Sequence, residues 1–201
     1  METNNKMLKT LIPVIAVVVI FESIMLVSNL EKKTVTSDVI AEKNEIIQEV
    51  KNENYFDLSF VTDAKEMKIG KNYQIKLQAL VKEKKSLDAI DIAIKYDSKN
   101  LEISGLIFDD KLEKPIIGKV VKEDGMIVVK YLIETKQGIT FNVDDLVNLV
   151  SFDVKAKTVG LYKFEVATGN EDKKFVTLFV ENTSAKALPF ASNQLEINVI
   201  K

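Results

Sequence analysis

The chain has 201 residues, 46% of them hydrophobic and 29% charged, and its 28 basic residues, all lysine, nearly balance 30 acidic ones for a formal net charge of −2. That balance, with no arginine fork to grip phosphate, argues against nucleic acid as a partner. With no histidine, cysteine or tryptophan, Ser-His-Asp and Cys-His catalysis, disulfides and the usual zinc, copper and haem sites are excluded, and no cofactor is expected.

In chain order, the first feature is an apolar block over residues 11–30, LIPVIAVVVIFESIMLVSNL, behind Lys6 and Lys9. About twenty such residues approach the length that crosses a hydrocarbon core. The expected anchor is a transmembrane helix that includes Leu11, Ile15, Val18, Phe21 and Leu26. Glu22 is costly there and has three ways out: a place toward one end, a pairing with a neighbouring chain, or a protonated carboxyl. The residues after the block, MLVSNLEKK, lack the small-residue pair that signal cleavage needs, which favours an uncleaved signal-anchor over a cleaved signal. Residues 1–30 are therefore read as the anchor of a single-pass cell-membrane protein with its long C-terminal part outside. Residues 31–54 are charged and free of Gly and Pro, with Val39, Ile40, Ile46, Ile47 and Val50 recurring every three to four positions where the spacing is dense. This is a partly helical stalk, its seam too short for a coiled coil.

From Tyr55 the period becomes two. Strands are predicted over 56–60, 73–81, 87–96, 101–108, 126–133, 146–156, 161–167, 175–180 and 194–200, with a weaker one over 115–121. Turn signals at 69–72, 98–100, 123–125 and 159–160 separate many of them. Many short alternating strands with no helix between them predict an all-β, antiparallel sandwich over residues 55–201. Alternation points Ile90, Ile92 and Ile94 inward and Asp91, Ala93 and Lys95 outward. In 126–133 it sends Ile127, Val129, Tyr131 and Ile133 inward, leaving Met126, Val128, Lys130 and Leu132 outside. In 161–167, Tyr162, Phe164 and Val166 go in. An outward row of apolar residues among charges has the mix of a binding surface, unless a loop or the 181–193 segment covers it.

The acidic pairs Asp109-Asp110, Asp144-Asp145 and Glu171-Asp172 match no calcium-loop pattern. Glycosidase chemistry from such pairs calls for a cleft with aromatic sugar platforms, which a chain with no Trp and five Tyr supplies poorly. The chain is not read as an enzyme.

The stretch IDIAIKYDSKNLEI (90–103) resembles an early strand pair of cohesin domains: alternating apolar residues, Tyr96-Asp97, a short turn, then Leu101-Glu102-Ile103. IGKNYQIKLQAL upstream, LVNLVSFDVKAKTVGLYKFEV downstream and the closing LEINVI follow the same family in order. The resemblance implies a nine-stranded jelly roll, related to carbohydrate-binding modules, that docks another protein on the flat face of its third, fifth, sixth and eighth strands. It places Asp91 at an acidic recognition position, with Ala89 where the family often has Asn. The expected partner-binding residues are Asp91, Ala93, Lys95, Val128, Lys130 and Leu132, and the expected partner is an unidentified, dockerin-like protein. The alternatives are a structural cell-surface or envelope subunit and a glycan-binding module.

Overall fold

The computed structural model describes residues 54–169 and 174–201. The expected anchor and almost all of the expected stalk lie outside the described residues. Residues Val50–Lys201 form one compact unit of the chain, and both sheets lie within it.

Alternation translates into strands almost directly. The chain forms β1 (Phe56–Val61), β2 (Glu66–Lys68), β3 (Asn72–Val81), β4 (Lys85–Lys95), β5 (Leu101–Ile107), β6 (Ile117–Val121) and β7 (Met126–Leu132). It continues with β8 (Ile139–Phe141), β9 (Leu146–Ala156), β10 (Gly160–Val166), β11 (Leu178–Glu181), β12 (Ala187–Leu188), β13 (Phe190–Ser192) and β14 (Leu195–Ile200). The ten elements of four or more residues sit where the period of two placed them. The other four, of two or three residues each, raise the count from ten to fourteen; a piece that short carries no readable alternation. The described residues contain no helix.

One sheet runs β13-β1-β3-β9-β5, and the other runs β12-β11-β4-β10-β14-β2. In the second, β7 also pairs with β4, β6 pairs with β7, and β8 pairs with β4. Pairing is antiparallel except for two short contacts, β1 with β13 and β14 with β2. Inner faces pack as alternation requires: Ile90, Ile92, Ile94, Ile127, Val129, Tyr131, Phe164 and Phe152 are all buried in one core. Phe56 stacks on Phe179 at 4.4 Å between centroids, which joins the two sheets. Under the edge strand β6, Gly118 makes room for the Phe108 ring, which an added Cβ would meet at 2.5 Å. Phe108 in turn meets Tyr131 edge-on.

The Tyr-Asp turn after β4 has a structural role. Asp97 accepts the backbone N–H groups of Lys99 and Asn100, at 3.0 and 3.2 Å, and the Asn100 side-chain amide at 2.8 Å. Asn100 then accepts the Thr158 hydroxyl, which pairs with the Tyr162 phenol, so the turn holds the β9–β10 loop as well. The amide of Asn100 and the two N–H groups hold the Asp97 carboxyl below its usual range. Asp97→Ala is expected to cost about 1–2 kcal/mol, the scale of a lost turn cap. Because the folded state lowers the pKa, that stability is complete above about pH 4 and fades as pH falls toward the depressed value. Chemical denaturation of wild type and variant at pH 7 and pH 3 measures it; an undiminished gap at pH 3 contradicts the assignment.

Candidate docking face

The face that alternation singled out is the outer side of β6, β7, β4 and β11, and register arranges it in rows. Ile117 lies opposite Lys130, Lys130 opposite Asp91, and Asp91 opposite Leu178. The next row is Leu132, Ala89 and Val180. On the other side come Lys119, Val128 and Ala93, and then Val121, Met126, Lys95 and Glu165.

The expected site residues divide between two environments. Asp91 and Lys130 form an ion pair across the sheet at 2.5 Å, with side chains 19% and 35% exposed. Leu132, beside them, is 50% exposed. Lys95 is half-buried opposite Met126 and Glu165. Ala93 and Val128 correct the expectation: both point outward, but they are 1% and 3% exposed. With Met126 and Ala167 they form a second, small apolar cluster, against which Ile117, Val121 and Phe175 pack.

The cover comes from Phe175, in the segment that leads into β11, and not from the 181–193 segment. The predicted strand over 175–180 begins only at Leu178, and Phe175 lies on the outer face instead. Thr177 fixes the departure point. Its buried hydroxyl accepts the Ala93 N–H at 3.0 Å and lies 3.3 Å from the Ala93 carbonyl, standing in for a strand where β10 gives way to β11. Lys174 ties the segment to Asp124 at 2.7 Å. The accessible face is thereby confined to its Leu132 end: Asp91, Lys130 and Leu132, rimmed by Ala89, Ile117, Leu178 and Val180. Leu178 and Val180 alternate with the buried Phe179, a signal that the predicted 175–180 strand already carried.

Asp109-Asp110 and Asp144-Asp145 are turn builders. Asp109 accepts Lys111 N–H, and Asp145 accepts the backbone N–H of Asn142 at 2.7 Å. Glu171-Asp172 lies outside the described residues. No three carboxylates converge among the described residues. A polar cleft of about 360 Å³ at the other end of the sheet, lined by Lys95, Glu165, Thr168, Ser192, Asn193 and Gln194 among others, has no aromatic in its lining.

No family model matches the sequence, and no curated protein does. Solved structures do match. The third cohesin of ScaC from Acetivibrio cellulolyticus, solved with the ScaB dockerin, superposes with a TM-score of 0.56 at 13% identity, over 73% of this chain and 98% of that one. A cohesin module of a family 33 glycoside hydrolase from Clostridium perfringens also gives 0.56, at 12% identity over 73% and 98%. A non-cellulosomal cohesin from the archaeon Archaeoglobus fulgidus gives 0.51, at 9% identity over 72% and 92%. The domain has the cohesin fold.

Proposed function

We propose that this domain is a non-catalytic docking module that takes a protein partner of dockerin type on the open end of the β6-β7-β4-β11 face, and that residues 1–30 hold it to the outside of a cell membrane. The observation that carries the docking reading is the Asp91–Lys130 pair with Leu132 beside it, left uncovered on a sheet face whose other end the chain covers itself. A half-buried ion pair flanked by apolar side chains sets charge register, while the apolar rim supplies the buried area. Cohesins solved with dockerins share this fold, which supports a protein partner. The polar cleft with no aromatic platform favours a protein over a glycan.

A charge swap tests it. With the domain as bait against lysate of its own organism, Asp91→Lys is expected to lose the partner and some stability. The double variant Asp91→Lys/Lys130→Asp restores the pair, and with it the melting temperature, but presents reversed charges and still fails to capture. Capture restored along with stability would make the pair structural only. Alkaline carbonate extraction tests the anchor: full-length protein stays in the pellet, and release of a shortened chain would mean cleavage.

A further inference from the structure

The pole of the sandwich away from the chain's entry carries two adjacent turns of one chemical pattern. Between β2 and β3 the sequence is Lys68-Ile69-Gly70-Lys71, and between β9 and β10 it is Lys157-Thr158-Val159-Gly160. Gly70 supplies the positive φ of 75° for the first turn, which Lys71 N–H closes onto Lys68 carbonyl at 3.2 Å. Gly70 N–H then bonds the Ala156 carbonyl at 2.9 Å, and Lys157 N–H bonds the Asn100 carbonyl at 2.8 Å, so the two turns and the 98–100 turn are knit side by side.

Each of the two turns lifts one branched aliphatic into solvent: Ile69 is 40% exposed and Val159 is 47% exposed. Lys68, Lys71, Lys99 and Lys157 surround them, all exposed. Among the described residues none of these four is in an ion pair, whereas Lys82, Lys85, Lys130, Lys163 and Lys174 all are. Of the nearby carboxylates, Asp97 serves its turn and Glu66 accepts the Asn198 amide, while Glu102 lies across from Lys155 in the strand register. A soluble polyanion would use the lysines and leave the aliphatics in water. An anionic bilayer uses both, since lysine near its surface gains about 1 kcal/mol each and an aliphatic tip enters the headgroup boundary.

We infer that this pole is a docking surface for an anionic membrane, with Ile69 and Val159 entering the interface inside a collar of lysines. It is distinct from the Asp91–Lys130 face. It also lies a full strand away from Tyr55, whose N–H bonds Pro189 carbonyl beside Val81 and Lys82, at the far end of β3 from Asn72. Ten residues of β3 span roughly 34 Å, so contact here would hold the domain at a point remote from where residues 1–53 join it.

Fragment 50–201, which contains both sheets and the core, is sedimented with vesicles of phosphatidylcholine containing 30% phosphatidylglycerol and with pure phosphatidylcholine. Binding is expected to the anionic vesicles only, and to fall at least about tenfold in Lys68→Glu/Lys71→Glu/Lys157→Glu. Ile69→Ser/Val159→Ser is expected to weaken it several-fold at an unchanged melting temperature, since both side chains are exposed in the fold. No binding to the anionic vesicles at low salt overturns the inference. So does binding that ignores the aliphatic pair, which would leave only a charge contact that a soluble polyanion makes equally well.

Discussion

Tyr131→Ala is expected to lower stability by about 3–5 kcal/mol, and Tyr131→Phe by about 1–3 kcal/mol. Tyr131 is 1% exposed near the C-terminal end of β7, with Phe108 edge-on against its ring. Its phenol crosses the core and donates to the Leu149 carbonyl in the opposite sheet. Leu149 is the extra residue of a β-bulge: β3 pairs Leu77 with Val150 and Gln78 with Asn148, passing over it. A bulge leaves a backbone group outside the ladder, and here the phenol satisfies it. The alanine variant leaves both a ring-sized cavity and that carbonyl without a partner. The phenylalanine variant removes only the hydrogen bond. Burial raises the phenol's pKa far above its usual range, so the donor stays protonated at any working pH. For a domain of this size the alanine loss corresponds to a melting temperature roughly 10–15 °C lower. Thermal melts of both variants read it out. A phenylalanine variant indistinguishable from wild type would mean that the bulge carbonyl has another partner.

What the sequence revealed follows the physics of alternation. Period two assigns each residue a side, so Ile90, Ile92, Ile94, Tyr131, Tyr162 and Phe164 all read correctly as core. It also put Asp91 and Lys130 on one face, but their pairing depends on the register of β4 against β7, which involves two segments about forty positions apart. The burial of Ala93 and Val128 was not legible for a different reason. Phe175 and Thr177 continue an alternating run, and nothing local marks where the chain leaves the sheet. The departure is decided by the Thr177 hydroxyl meeting the backbone of Ala93, a contact between residues 84 apart. The Tyr96-Asp97 turn was legible as a resemblance to cohesin domains, and the hydrogen bonds explain why an aspartate serves there: one carboxylate satisfies two backbone donors and an amide.

Leu132→Asp is expected to abolish partner capture, a loss of about thirtyfold or more in affinity, while shifting the melting temperature little. The residue directly follows Tyr131 on β7 and points the other way, so the two neighbours divide fold from function. Leu132 is half-exposed, opposite the small Ala89, and next along the face to the Asp91–Lys130 pair. A large aliphatic over a small neighbour, beside a charge pair already neutralised within the chain, is the most protruding apolar group on the open part of the face. Centrally placed anchors of this kind account for most of the binding energy when a partner buries them, at about 2 kcal/mol or more each. Aspartate at this site would add a second carboxylate near Asp91, and its charge would be desolvated in the complex. In the free domain it stays hydrated, so the fold is spared. Comparative capture by wild type and variant, with melting curves on the same samples, separates the outcomes. If capture survives, the docking face is elsewhere on the sandwich. If capture and melting temperature fall together, Leu132 belongs to the fold, as Tyr131 does.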